Sequence, residues 1–411
     1  MKKIILSAAS LAVAAVASVS VAPTTSEAVP AFARQTGAAC LNCHFQTIPR
    51  LAQMGREFRM GGFRDVSQDL IEDDHLSLPA FFNASLLMKA RVTFTGGDVT
   101  KGSAVRRNDG ATNGVQWPDE SALLFGGRFS EKAGGFQEWD VISGSMLGGK
   151  FAYVNELDNG FIAAAIGTSD ALGAPSIFND PSNAISRNLR GIQNRAVALN
   201  GGILHGAATA VGVYGYMADS VYFAAGLLVP DGGFAAGNNG IEIPNSPYLR
   251  AAYITQLGDF DAIVGAWYSS VEEPNPQAAD KARAVGASAP AGDVQAGLDF
   301  QLQGDMGDMS IGFYMPVVLG GISYNGGMSY TGAMPYVNIG LTQAAGVRLG
   351  VDYATSDVAD DITKLIVGGW YDLAQNIVLD AEFASISTTA NAVGGLDTSS
   401  TDLTVMLEYA Y

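Results

Sequence analysis

The residues whose spacing carries the most chemistry are Cys40, Cys43 and His44, in the run Cys40-Leu41-Asn42-Cys43-His44. Two thiols three positions apart, followed at once by an imidazole, match the C-x-x-C-H pattern of c-type haem attachment. In that chemistry the thiols form thioethers to the porphyrin and the adjacent imidazole ligates the iron. The spacing lets both sulfurs reach neighbouring vinyl groups while the histidine turns beneath the ring. A Cys-x-x-Cys disulfide beside an incidental histidine is the blander alternative. The chain has 2 cysteines in all, so the expectation is one covalent haem c on Cys40 and Cys43, with His44 as proximal ligand.

The sixth ligand stays open between Met60, Met54 and His75, all within reach along the chain, and an open site. Met60 is favoured because the chain must first travel around the ring to the face opposite His44. A methionine there would raise the haem potential. Arg34, Arg56 and Arg59 are candidates to pair with haem propionates, or are solvated. Pro49 can open a helix that Gly61-Gly62 closes, with Leu51, Met54 and Phe58 on one face.

The elements that must position these residues follow from the rest of the chain. Lys2 and Lys3 precede a soft apolar run from Ile4 to about Ala17, and Ser26-Glu27-Ala28 supplies a small-x-small cleavage site, so residues 1–28 read as a signal peptide. Residues 29–78 form the haem segment. That segment is too short to bury a large core unaided and must lean on residues 79–411.

From Phe81 onward the apolar period becomes two, the period of a strand with one greasy face. Val294, Ala296, Leu298, Phe300 and Leu302 alternate with Gln295, Gly297, Asp299, Gln301 and Gln303. Arg348 and Asp352, and then Asp380 and Glu382, fall on the corresponding second face of later runs, where they would line a wet or protein-filled lumen. Such runs lie near 81–95, 121–130, 136–143, 150–157, 160–167, 206–217, 220–229 and 248–257. Others lie near 260–270, 293–303, 308–316, 334–342, 346–354, 362–371, 376–386 and 402–411. Together they predict a mainly β chain, a transmembrane barrel of about sixteen strands with the haem segment as plug or cap. Tight turns alternate with long loops, the longest near 96–120, 168–205, 230–247, 271–292, 317–333 and 387–401. Short turns are periplasmic in such barrels, which puts both termini on the periplasmic side and the haem segment at the inner mouth or in the lumen. Leu403, Val405, Leu407, Tyr409 and Tyr411 alternate to a terminal aromatic, as in strands recognised by the outer-membrane barrel assembly machinery.

Composition agrees. The chain holds 50 glycines, 15% charged and 48% hydrophobic residues, suiting strands and turns, and no stretch after the leader approaches the roughly 20 apolar residues a membrane helix needs. Outer-membrane lipid is therefore met by strands. The net charge of -17 argues against nucleic acid as a partner and favours cations. Acidic residues such as Asp357, Asp360 and Asp361 could concentrate cations locally.

The chain resembles the fused monohaem cytochrome c-porins, whose characterised members are outer-membrane iron oxidases. The residues that carry the resemblance are Pro30-Ala31-Phe32-Ala33-Arg34-Gln35-Thr36-Gly37, Cys40 to His44, Pro49, Gly55-Arg56, Phe58 and Gly62-Phe63. It continues through Leu78-Pro79, Lys89-Ala90-Arg91 and Glu120-Ser121-Ala122-Leu123-Leu124-Phe125-Gly126-Gly127-Arg128. The resemblance implies haem attachment at Cys40 and Cys43, proximal ligation by His44 and a cytochrome plug associated with the barrel. It also implies an Fe(II) oxidoreductase: extracellular Fe(II) is oxidised and single electrons pass to a periplasmic c-type cytochrome. The alternatives are a conduit for another extracellular donor or acceptor, and a diffusion porin with a haem plug.

Overall fold

The structure, a computed structural model, describes residues 30–47, 50–67, 69–74, 77–80, 82–97, 113–142, 144, 146–168, 172, 209–229, 246–271, 293–320, 330–356, 361–374, 376–389 and 397–411. The leader, most of the long loops, Pro49 and His75 lie outside the described residues.

The N-terminal part holds three short helices, α1 (Pro30–Thr36), α2 (Cys40–Cys43) and α3 (Gln53–Met60), and a small hairpin of β1 (Leu70–Glu72) and β2 (Ser77–Pro79). Seventeen strand segments follow: β3 (Ala84–Gly97), β4 (Asn113–Arg128), β5 (Ala133–Asp140), β6 (Met146–Leu157), β7 (Gly160–Thr168), β8 (Thr209–Met217) and β9 (Val221–Val229). Next come β10 (Ser246–Leu257), β11 (Phe260–Val271), β12 (Asp293–Met306), β13 (Met309–Gly320), β14 (Tyr330–Ala333) and β15 (Tyr336–Gly340). The last are β16 (Ala345–Ser356), β17 (Asp361–Ala374), β18 (Ile377–Thr389) and β19 (Thr398–Ala410).

Each strand pairs antiparallel with its neighbour, and β19 pairs β3 from Ser400↔Gly97 to Ala410↔Leu87. The sheet therefore closes. Because β14 and β15 both lie between β13 and β16, they share one place, giving a closed barrel of sixteen strands. Pro335 explains that interruption, since it has no N–H to give to the ladder. Closure leaves no open sheet edge, which a strand protein needs if lipid is to surround it.

Side-chain period does the rest. Along β10, Tyr248, Arg250, Ala252 and Ile254 are buried, whereas Leu249 and Tyr253 are 53% and 52% exposed. The outward face is thus greasy and the inward face mixed. Asp299, Gln301 and Gln303 on β12, Arg348 and Asp352 on β16, and Asp380 and Glu382 on β18 all point inward and are buried, as their alternation predicts. Inside, Arg250 meets Asp299 at 2.8 Å and Arg348 meets Asp380 at 3.1 Å.

Connections of two to four residues at 129–132, 158–159, 218–220, 258–259, 307–308, 341–344 and 375–376 all fall at one mouth. The longer connections, with the four-residue one at 357–360, are at the other. Ala218 and Asp219 both have positive φ, 51° and 49°, the geometry of a primed hairpin turn.

Four expectations need correction. The loop expected at 387–401 is shorter, because β18 runs to Thr389 and β19 starts at Thr398, in Ser- and Thr-rich stretches that carry no apolar alternation. β4 begins at Asn113, so the loop before it is shorter than 96–120. Pro118 sits in a bulge where the pairing jumps from Lys89↔Glu120 to Arg91↔Gln116, and this break in alternation hid the first half of the strand. The loop expected at 317–333 is likewise shorter, because β13 runs to Gly320 and β14 starts at Tyr330. The helix expected from Pro49 starts only at Gln53, because Leu51 bridges His44 in an extended pairing.

Candidate functional site

The Cys40–His44 run folds as one helical turn, with the His44 N–H donating to the Cys40 carbonyl at 2.8 Å. The chain then doubles back. Phe45 N–H donates to Arg50 O at 3.0 Å and Ala52 N–H to Cys43 O at 2.9 Å. This return lays α3 against the cysteine turn at Gly55, where an added Cβ would lie 2.1 Å from the Cys43 carbonyl oxygen. Only a glycine fits so close an approach.

His44 is buried, and its Nδ1 lies 3.1 Å from the carbonyl oxygen of Arg50. A carbonyl can only accept, so Nδ1 carries the proton, and in the neutral ring the lone pair lies on Nε2. That is the tautomer of a metal-ligating histidine, oriented by its second nitrogen. Cys40 is buried and Cys43 partly so, and neither is in a disulfide. Burial pushes the Cys43 thiol above its ordinary range.

The structure separates the sixth-ligand candidates. Met60 is wholly buried at the end of α3, Met54 is 42% exposed on the same helix, and His75 lies outside the described residues. Leu51, Met54 and Phe58 do not form one buried face: Leu51 is off the helix and only Phe58 is buried. Among the described residues no group of three or more His, Cys, Asp or Glu side chains could hold a metal ion.

The segment is lodged inside the barrel at the short-turn mouth. At one side, Gln35 donates to Phe63 O (2.7 Å) and Asp65 O (2.8 Å) and accepts from Asn83 Nδ2 (2.8 Å), just before β3. Gly127 of β4, with φ +127°, makes room for the Gln35 amide. Phe32, Phe58 and Phe63 pack with centroids 5.1 to 5.5 Å apart, and Phe136 of β5 joins them. At the other side, Gln46 donates to Ser310 O (2.8 Å) and Asn338 O (3.2 Å). Arg56 pairs with Asp261 and donates to Gln303 Oε1 at 3.0 Å. Counting round the ring, β12 and β4 are eight places apart of sixteen, so the segment spans the lumen from wall to wall. Lys150 of β6 donates to Arg59 O (3.3 Å) and Tyr214 of β8 to Met60 O (2.7 Å). The barrel thereby satisfies the carbonyls that end α3, with a cation where the helix dipole favours one.

Of the arginines expected at propionates, Arg56 is committed to Asp261 and Gln303, and Arg34 donates to Ala84 O. Arg59 is buried beside α3's last turn. The guanidinium that sequence reasoning missed is Arg50. It is 1% exposed, its Nε and Nη1 have no hydrogen-bond partner among the described residues, and its Cζ stands 5.6 Å from the Tyr314 ring and 6.0 Å from the Tyr336 ring. Two unbridged thiols on one turn, a histidine in the ligating tautomer and an orphaned buried cation fit a covalently held, carboxylate-bearing haem.

Fold and outward apolar face together define an outer-membrane porin-type β-barrel, here with an N-terminal segment in its lumen. No protein-family model matches the chain and no curated protein matches it in sequence. Solved structures do match in shape. An anion-selective porin from Comamonas acidovorans superposes with a TM-score of 0.51 at 9% identity, over 80% of this chain and 99% of that one. The outer membrane channel DcaP of Acinetobacter baumannii gives 0.49 at 12% identity, over 84% and 100%. Outer-membrane expressed OmpT of Vibrio cholerae gives 0.48 at 11%, over 84% and 100%.

Proposed function

We propose that the chain is an outer-membrane cytochrome-porin that takes single electrons from extracellular Fe(II) and passes them to a periplasmic c-type cytochrome. The observation that carries this reading is the Cys40–His44 turn held inside a closed barrel, with both thiols unbridged and the imidazole in a ligating tautomer. A haem c held by Cys40, Cys43 and His44 would supply reversible one-electron transfer there. The chain's own residues hold and insulate that centre. Arg50 O fixes the His44 ring, the Phe32, Phe58 and Phe63 cluster excludes water beside α3, and Arg56 and Gln46 lock the turn to the wall.

Barrels of this type turn their short connections to the periplasm. That orientation sets the haem segment at the periplasmic mouth, beside a soluble electron acceptor, and the long loops outside. Electrons then cross while insoluble ferric product stays outside.

The test is anaerobic mixing of the purified haem-loaded protein with Fe(II) at near-neutral pH. Development of the reduced haem spectrum is expected. A haem that stays oxidised with Fe(II) but accepts electrons from another donor would replace this reading with the broader conduit. A second reading, a diffusion porin whose haem segment is a plug, is favoured by the fold shared with the anion-selective porin. High ion conductance through the intact chain in a planar bilayer would select it.

A further inference from the structure

Arg50 combines two roles that sequence does not suggest. Its backbone is pinned: the amide donates to Thr47 O at 3.2 Å, and the carbonyl accepts from Phe45 N–H at 3.0 Å and from His44 Nδ1 at 3.1 Å. The side chain therefore starts from a fixed point next to the proximal histidine. It ends in a nearly dry place, 1% exposed, against Tyr314 and Tyr336, whose rings stack at 4.8 Å. Tyr314 is itself held, accepting from Gln303 Nε2 at 3.0 Å, and Gln303 is held by Arg56.

A guanidinium carries five donors in a planar fork that matches a carboxylate. Among the described residues Nε and Nη1, both buried, donate to nothing. Asp380, a carboxylate that feels Arg50's charge, already accepts from Arg348 at 3.3 and 3.1 Å. Ring faces offset part of the desolvation of a cation, but they give its N–H groups no acceptor. A buried, preformed, half-unsatisfied fork next to a histidine in the tautomer that suits a metal calls for an anionic partner belonging to whatever that histidine would ligate.

We propose that the Arg50 guanidinium binds a carboxylate of the porphyrin, a haem propionate, and fixes it against the Tyr314–Tyr336 wall. This rests on the reading that Cys40 and Cys43 carry haem. Arg50 then grips the cofactor from both ends, orienting its axial ligand through the backbone and its acid group through the side chain. It also sets the redox balance, because neutralising a propionate removes negative charge that would otherwise favour the more positive ferric state.

The experiment compares haem-loaded full-length wild type with Arg50→Gln and Arg50→Lys. Both substitutions keep the backbone carbonyl, so the His44 ligation signature in the optical spectrum should not change. Arg50→Gln should favour the ferric form by about tenfold, a fall in potential of about 59 mV for one electron. Arg50→Lys, which keeps the charge but loses the fork, should recover most of that shift. In resonance Raman, the propionate bending band should move in both variants. Wild-type-like potential and propionate band in Arg50→Gln would overturn the assignment, as would equal potential shifts in the two variants. If Arg50→Gln does not insert into the membrane, the Arg50→Lys Raman band decides alone, and an unmoved band overturns it. Wild-type protein without covalent haem would instead overturn the haem reading itself, a different result on the same samples.

Discussion

Gly55 shows how one missing atom sets the distance between α3 and the cysteine turn. Replacing it with alanine puts a Cβ 2.1 Å from Cys43 O, so helix or turn must move. The cost of such overpacking is about 1–3 kcal/mol, and Gly55→Ala should show it as reduced haem content and faster proteolysis of residues 30–67. Cys43→Ala should weaken covalent attachment, leaving less haem stain on the chain after denaturing electrophoresis, and His44→Ala should change the iron spectrum. At this scale the sequence announced the spacing of Cys40, Cys43 and His44, and the structure places the three on one helical turn. It was silent on Arg50, because nothing in a one-dimensional string says that residue 50 meets Tyr314 and Tyr336 across the barrel.

At the scale of elements, the N-terminal segment is held by a few strong contacts rather than by a core of its own. Arg56 and its partner Asp261 have side chains only 5% and 13% exposed. Arg56→Ala leaves that carboxylate and Gln303 without their cation, a loss on the order of 3 kcal/mol for a mostly buried pair. Raised protease sensitivity of the segment and larger current fluctuations in single-channel recordings should report it. Glu156→Ala is the control. Glu156 is 66% exposed, so its pair with Arg64 contributes about 0–1 kcal/mol and its loss should pass nearly unnoticed, because Arg64 keeps its donors to Gly61 O and Glu131 O. The strands were legible because alternation is local, whereas α1 and the β1–β2 hairpin were not foreseen. Phe32-Ala33-Arg34-Gln35 has no amphipathic run long enough to announce a helix, and its conformation is set by Phe63, Asn83 and Phe136 from elsewhere.

For the molecule as a whole, the sixteen places in the barrel coincide with the sixteen period-two runs, and the errors lie at Pro118 and Pro335, where proline breaks the alternation, and at 387–389 and 398–401, where Ser and Thr carry no apolar alternation. The protein should fractionate with the outer membrane and give a β-rich circular dichroism spectrum. Removal of residues 30–80 should raise ion conductance severalfold, since the described part of that segment crosses the lumen. An unchanged conductance would mean that something other than α1 to α3 closes the pore.

The wall-to-wall placement of the segment has a mechanical consequence. A hollow cylinder of strands flattens easily into an ellipse, because bending the sheet between neighbouring strands breaks no hydrogen bonds. A strut pinned at Asn83 on one wall and at Ser310, Asn338 and Asp261 on the other forbids that at the short-turn mouth. Bilayer pressure can then squeeze the long-loop mouth out of round while the circumference around His44 keeps its shape.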